Sequence, residues 1–249
     1  MNEFLTRCEK RFRFTNKELF GILISVVVAA FVLSFKLVDA GGSYAANFIV
    51  LAILLLISFL IHFSAQKLVA LKLGYESRYK YWLNGILLSL VVCFFTYGYF
   101  PLFFTGSLWH QDIPKLRIGV FRGGVRHKDL GLIAFAGPFS NMIIALLLAP
   151  VFLATKSSFV QAVIIINLLI AIYSLIPVPT FEKLRQFKGG TTGLYLFIAS
   201  RWAYVLVLAT FVAYAVLLWL IPGIFSFIIA LILGIITTII YYSQYESDK

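Results

Sequence analysis

Long apolar runs separated by short charged clusters set the pattern of this chain. The runs cover residues 21–35, 46–61 and beyond, 131–154, 159–177, 203–221 and 223–242. Each approaches the ~20 residues that a helix needs to cross a ~30 Å hydrocarbon layer. The pattern predicts an all-α polytopic membrane protein with about six transmembrane helices. Pro222-Gly223 divides the stretch 203–242 into a tight helical hairpin. No solenoid repeat or inverted transporter-type repeat is visible.

The segment 84–104, NGILLSLVVCFFTYGYFPLFF, is long enough to cross but contains Gly98 and Pro101. Positive charge decides how it is read. If it crosses, the Lys and Arg residues divide 10 to 11 between the two sides. If it dips in and returns, 19 fall on one side, and only Lys36 and Lys156 on the other. The second distribution is the one the positive-inside rule favours. We therefore expect a re-entrant or interfacial hairpin at 84–104 and both termini in the cytoplasm. The Gly-broken stretch 115–131, KLRIGVFRGGVRHKDLG, is expected to form a small surface β-hairpin.

This pattern divides the chain into a basic cytoplasmic arm (1–19), a single integral-membrane domain (20–242) with its core at about 46–183, and a tail (243–249). The first run, with Val38-Asp39-Ala40 as a poor cleavage site and a long basic arm before it, reads as a retained anchor rather than a signal peptide.

Composition agrees. Apolar residues make up 61% and charged residues 12% of 249, against about 25% charged in ordinary soluble domains. That excludes a soluble globular domain. The net charge of +11 follows from basic cytoplasmic loops, so no nucleic-acid partner is expected. The bilayer is the first partner, and the basic, aromatic-rich stretch 66–130 suits anionic headgroups. Cys8 and Cys93 form neither a disulfide framework nor a metal-binding pair.

Two features reach the same face in this topology. One is His62 in FLIHFSAQKLVALKLG; the other is the run 177–182, PVPTFE. An ionisable group inside an apolar run points to function. Their surroundings resemble the site-2 protease family of intramembrane zinc metalloproteases, in particular its archaeal branch. The pattern H-E-x-A-H-K-x-x-A-x-x-x-G is matched at His62, Ala65, Lys67, Ala70 and Gly74. Ser77, Arg78, Tyr79 and Lys80 stand where an A-E-Tyr-Arg-like run would follow. Ala136, Gly137, Pro138 and Asn141 fit A-G-P-x-x-N, and 173–183 lies along F-N-L-L-P-x-P-P-L-D-G.

The resemblance implies a site-2-protease-like core and a location in the plasma membrane of an archaeon-like cell. It also exposes what is missing. In a zinc peptidase of this kind two histidines four apart bind the metal, and the intervening glutamate serves as base. Here the base position is Phe63, the second ligand position is Gln66, and the aspartate position is Glu182. No catalytic residue and no metal are expected: His62, Gln66 and Glu182 are vestigial ligand positions. Asn141, Pro177, Pro179 and Glu182 remain as substrate-cleft candidates. The reading is a pseudoprotease that binds transmembrane helices or membrane-protein partners. Alternatives are a divergent active zinc metalloprotease using His62 and Glu182, and a transporter-like bundle with His62, Asn141 and Glu182 lining a polar path. His110 and His127 are expected to be solvated or to face headgroups.

Overall fold

The structure is a computed structural model describing residues 3–35, 43–113, 126–179, 191–220 and 223–246. Among these, nine helices and two strands follow in order: α1 (Glu3–Arg11), α2 (Asn16–Ser34), α3 (Tyr44–Leu73), β1 (Tyr75–Tyr81), α4 (Leu83–Phe95), β2 (Gly106–Asp112), α5 (His127–Thr155), α6 (Ser158–Ser174), α7 (Thr192–Ala199), α8 (Arg201–Leu220) and α9 (Ile224–Tyr245). Helices α2, α3, α5, α8 and α9 are long and apolar enough to cross a membrane. Helix α6, the sixth expected span, has 17 residues, about 26 Å at ~1.5 Å per residue, at the short end of the spanning range. The mostly helical membrane fold is thus present. Two compact units carry it: 1–126 with 179–191, and 127–178 with 192–249.

In the first unit, α2 opens on a capping box. Thr15 Oγ1 accepts the Glu18 N–H (3.3 Å) while Glu18 Oε2 accepts the Thr15 N–H (2.8 Å), satisfying two otherwise orphaned donors. Helices α2 and α3 run antiparallel. Glu18 meets Lys67 at one end, and Ser34 Oγ donates to Tyr44 Oη at the other, 3.2 Å away. Gly74 ends α3 in the left-handed region (φ 94°), donating to the Leu71 carbonyl. That reversal is natural for glycine, and it sends β1 back along the helix.

Strands β1 and β2 pair antiparallel from Tyr75↔Asp112 to Tyr81↔Gly106. Among the described residues the sheet thus lies at 75–81 and 106–112. Of the stretch 115–131, 115–125 lies outside the described residues, and α5 begins at His127. Between the strands the chain leaves through α4 and comes back, and the Trp82 N–H donates to the Thr105 carbonyl at 2.9 Å. Residues 82–105 therefore form a hairpin that begins and ends at one end of the sheet.

In the second unit, α5 to α9 pack around Met142, Ile164, Leu168, Leu175, Tyr204, Phe211 and Tyr214. Helix α5 continues through Pro138 and Pro150. Helix α6 stops at Ser174, ahead of Pro177 and Pro179, which cannot continue it. The chain returns at α7 so closely that a Cβ on Gly193 would stand 2.7 Å from Leu175 Cα. Gly234 of α9 lies against Thr210 of α8 in the same way, as a tight hairpin requires.

Candidate functional site

The site-bearing face belongs to α3. Residues one turn apart share a helix face, so His62, Phe63, Gln66 and Lys67 form one stripe; all four are buried. His62 Nε2 lies 3.4 Å from Gln66 Nε2. His62 Nδ1 is buried without a hydrogen-bond partner among the described residues. Phe63 sits in an aromatic wall: its ring centroid is 4.5 Å from Tyr79 of β1, 6.0 Å from Phe59 and 5.1 Å from the His62 imidazole. Phe103, on the returning arm of the 82–105 hairpin, adds an edge contact to Phe59 at 6.3 Å.

One turn on, Lys67 Nζ reaches Glu18 Oε1 at 2.7 Å, and each side chain is only 4% exposed. The ammonium also donates to the Arg13 carbonyl at 3.0 Å and sits 4.1 Å from the Phe14 ring centroid. Glu18 in turn accepts the Tyr79 N–H at 2.7 Å and the Thr15 hydroxyl at 3.1 Å. One buried carboxylate thus ties together the start of α2, the end of α3 and the edge of β1. Tyr79 Oη continues the network to Ser25 Oγ at 2.7 Å. Lys67 enters the sequence reading only as a position in a pattern and Glu18 only as part of a charged arm. The T-x-x-E signature at Thr15–Glu18 is the signal that could have marked Glu18.

His110 departs from expectation. It is partly buried on the sheet, where its Nδ1 pairs with Ser77 Oγ at 2.7 Å, and the two residues are cross-strand partners. Desolvation pushes its pKa down to about 4. The unfolded chain, with histidine near its ordinary value, then binds more protons than the fold between pH 6.5 and 4. The His110 contribution is therefore complete above pH 6.5 and lost as pH falls towards 4. Thermal unfolding at pH 7 and pH 5 should show a smaller acid loss in His110→Gln than in the parent; equal losses would refute it.

A stretch of 187 aligned residues, covering 71% of this chain and 86% of the other, is 25% identical to a Methanocaldococcus jannaschii protein named "Putative zinc metalloprotease". The chain is a distant relative of that protein. No family model and no solved structure matches.

Measured against the zinc chemistry in that relative's name, the donors on α3 do not fit. His62 offers one imidazole, Gln66 a neutral amide, and Phe63 nothing, whereas a catalytic zinc takes three protein ligands and a water. Among the described residues no three His, Cys, Asp or Glu side chains gather in a group able to hold a metal. Glu182 lies outside the described residues. Asn141 is fully buried in α5; its Oδ1 takes the Ser140 hydroxyl at 3.3 Å, and its Nδ2 has no partner among the described residues. Pro177 is exposed and Pro179 partly buried, both beyond the end of α6. Of the sequence-derived candidates, the structure brings together His62, Phe63 and Gln66.

Proposed function

We propose that this membrane protein is a catalytically degenerate relative of the site-2-type intramembrane metalloproteases, one that binds transmembrane helices or membrane-protein partners and does not cleave them. The observation that carries the reading is Phe63. It fills the position of the general base, and its ring is packed between Phe59 and Tyr79. Loss of a general base alone removes about 10²–10⁴-fold in rate. Gln66 in place of a second histidine leaves any zinc ion short of a ligand, so the protein is expected to work without a metal. Both termini lie on the cytoplasmic side in this reading, and Asn141, Pro177, Pro179 and Glu182 are its candidate residues for the helix-binding cleft.

The test joins metal analysis with capture. Protein purified from zinc-replete cells should carry zinc well below one equivalent, at a level that His62→Ala does not change. A transmembrane peptide bearing a photo-crosslinker should couple to the protein and be recovered intact. Turnover of that peptide that stops on addition of chelator would overturn the proposal in favour of an active protease.

A further inference from the structure

The 82–105 hairpin carries an inference about the membrane itself. Helix α4 runs alongside α2. At the sheet end, a Cβ on Gly21 of α2 would stand 3.2 Å from the Tyr81 ring. At the other end, Phe94 of α4 lies 6.0 Å from Phe31 and 5.4 Å from Phe35, the residue that caps α2. Helix α4 has 13 residues, about 20 Å at ~1.5 Å per residue. The hairpin therefore reaches from near the start of α2 to its far end, although the chain then returns.

The turn and the arms that lead to it pair their backbone donors within the hairpin. Tyr97 (φ 50°) and Gly98 (φ 72°) reverse the chain in the left-handed region. The N–H of Thr96 donates to Val92, Tyr97 to Phe94, Gly98 to Cys93, Tyr99 to Thr96 and Leu102 to Phe100, at 2.8–3.2 Å. The Phe100 N–H reaches Thr96 Oγ1 at 3.4 Å, and the Phe104 N–H reaches Ser89 Oγ at 2.7 Å. Pro101 has no N–H to satisfy. A hairpin lying along the surface could leave such donors to water, whereas one threaded through hydrocarbon needs internal partners along its length. The side chains at this tip are nevertheless open: Phe95 is 84% exposed, Tyr97 77% and Tyr99 74%. Tyrosine favours the level where hydrocarbon meets headgroups.

We propose that this hairpin is a lipid-embedded wedge that passes through nearly the whole depth of the bilayer beside α2. It sets Tyr97 and Tyr99 at the interface opposite the β-sheet, and its outer face (Leu87, Val91, Phe95) is covered by acyl chains. Almost a full span is thereby present without a change in topology.

Single-cysteine variants of the full chain, made in a Cys8→Ser, Cys93→Ala background, test this. Lys80→Cys marks the sheet, and Tyr99→Cys and Phe95→Cys mark the tip, each reconstituted in one defined orientation. A membrane-impermeant maleimide should label Lys80→Cys from one side only and Tyr99→Cys from the opposite side only. A bimane label on Phe95→Cys should be quenched by lipids brominated on their acyl chains. Labelling of both sites from the same side would mean a hairpin lying along the surface and would overturn the proposal. Labelling of the tip from neither side would also overturn it. Quenching in that case would place the tip at mid-depth, and lack of quenching would put a protein partner in place of lipid. These outcomes do not depend on whether the chain binds zinc or cleaves peptides.

Discussion

Lys67→Met, with Glu18 left in place, is expected to cost about 3–5 kcal/mol of stability, the usual result of stranding one partner of a buried ion pair. Glu18 would keep the Tyr79 and Thr15 donors but lose the full positive charge that the buried Lys67 ammonium holds against it. Glu18→Gln should also be costly, since it strands the ammonium and leaves one oxygen to accept what Oε1 and Oε2 accept between them. The double variant Glu18→Gln, Lys67→Met should be less damaged than the two single costs added together, because no unpaired charge remains. Coupling of this kind runs to about 0.5–3 kcal/mol between contacting groups. Unfolding of all four proteins in one detergent provides the cycle. A Lys67→Met cost no greater than that of the exposed Lys10→Met would show that the pair carries little stability.

That pair also shows where the sequence stops being informative. The apolar runs were legible because a span needs only local composition. The return of 84–104 was legible because positive charges count the sides of the membrane without any knowledge of contacts. The α3 helix continues from the apolar run to Leu73 across Lys67, and nothing local says that Glu18, in another helix, will neutralise that lysine. The sheet is a second case. In β1, Tyr75, Ser77 and Tyr79 point inward while Arg78 and Lys80 are exposed, a period of two that is present in YESRYKY. Its partner lies beyond the α4 hairpin, and strand register across such an insertion is set by tertiary packing, so the pairing of β1 with 106–112 is not legible in the sequence. A solvated or headgroup-facing His110 is the expectation for the same reason: its inward direction exists only once it pairs with Ser77. At the site, the identities at 62, 63 and 66 could be read directly, but the aromatic wall around Phe63 comes from β1 and α3 together and required the fold.

That wall makes Phe63 the second position where a large effect is expected. Phe63→Ala should cost about 3–5 kcal/mol, the range for emptying a buried aromatic site; Phe63→Leu should cost much less, because it retains most of the volume. Phe63→Glu should be worse than Ala, since the carboxylate would face the Tyr79 and Phe59 rings. Adding Gln66→His then separates a packing position from a former metal site. If the stripe on α3 descends from a zinc centre, His62, the new histidine and Glu182 as expected third ligand should recover affinity for the ion. Zinc at ~100 times its Kd would return about 2.7 kcal/mol, read as a rise in Tm of the double variant that the parent protein does not show. A double variant as unstable with zinc as without it would separate this face from metal chemistry. Phe63 would then be a core residue only, and the proposed loss of a catalytic base would have nothing to rest on.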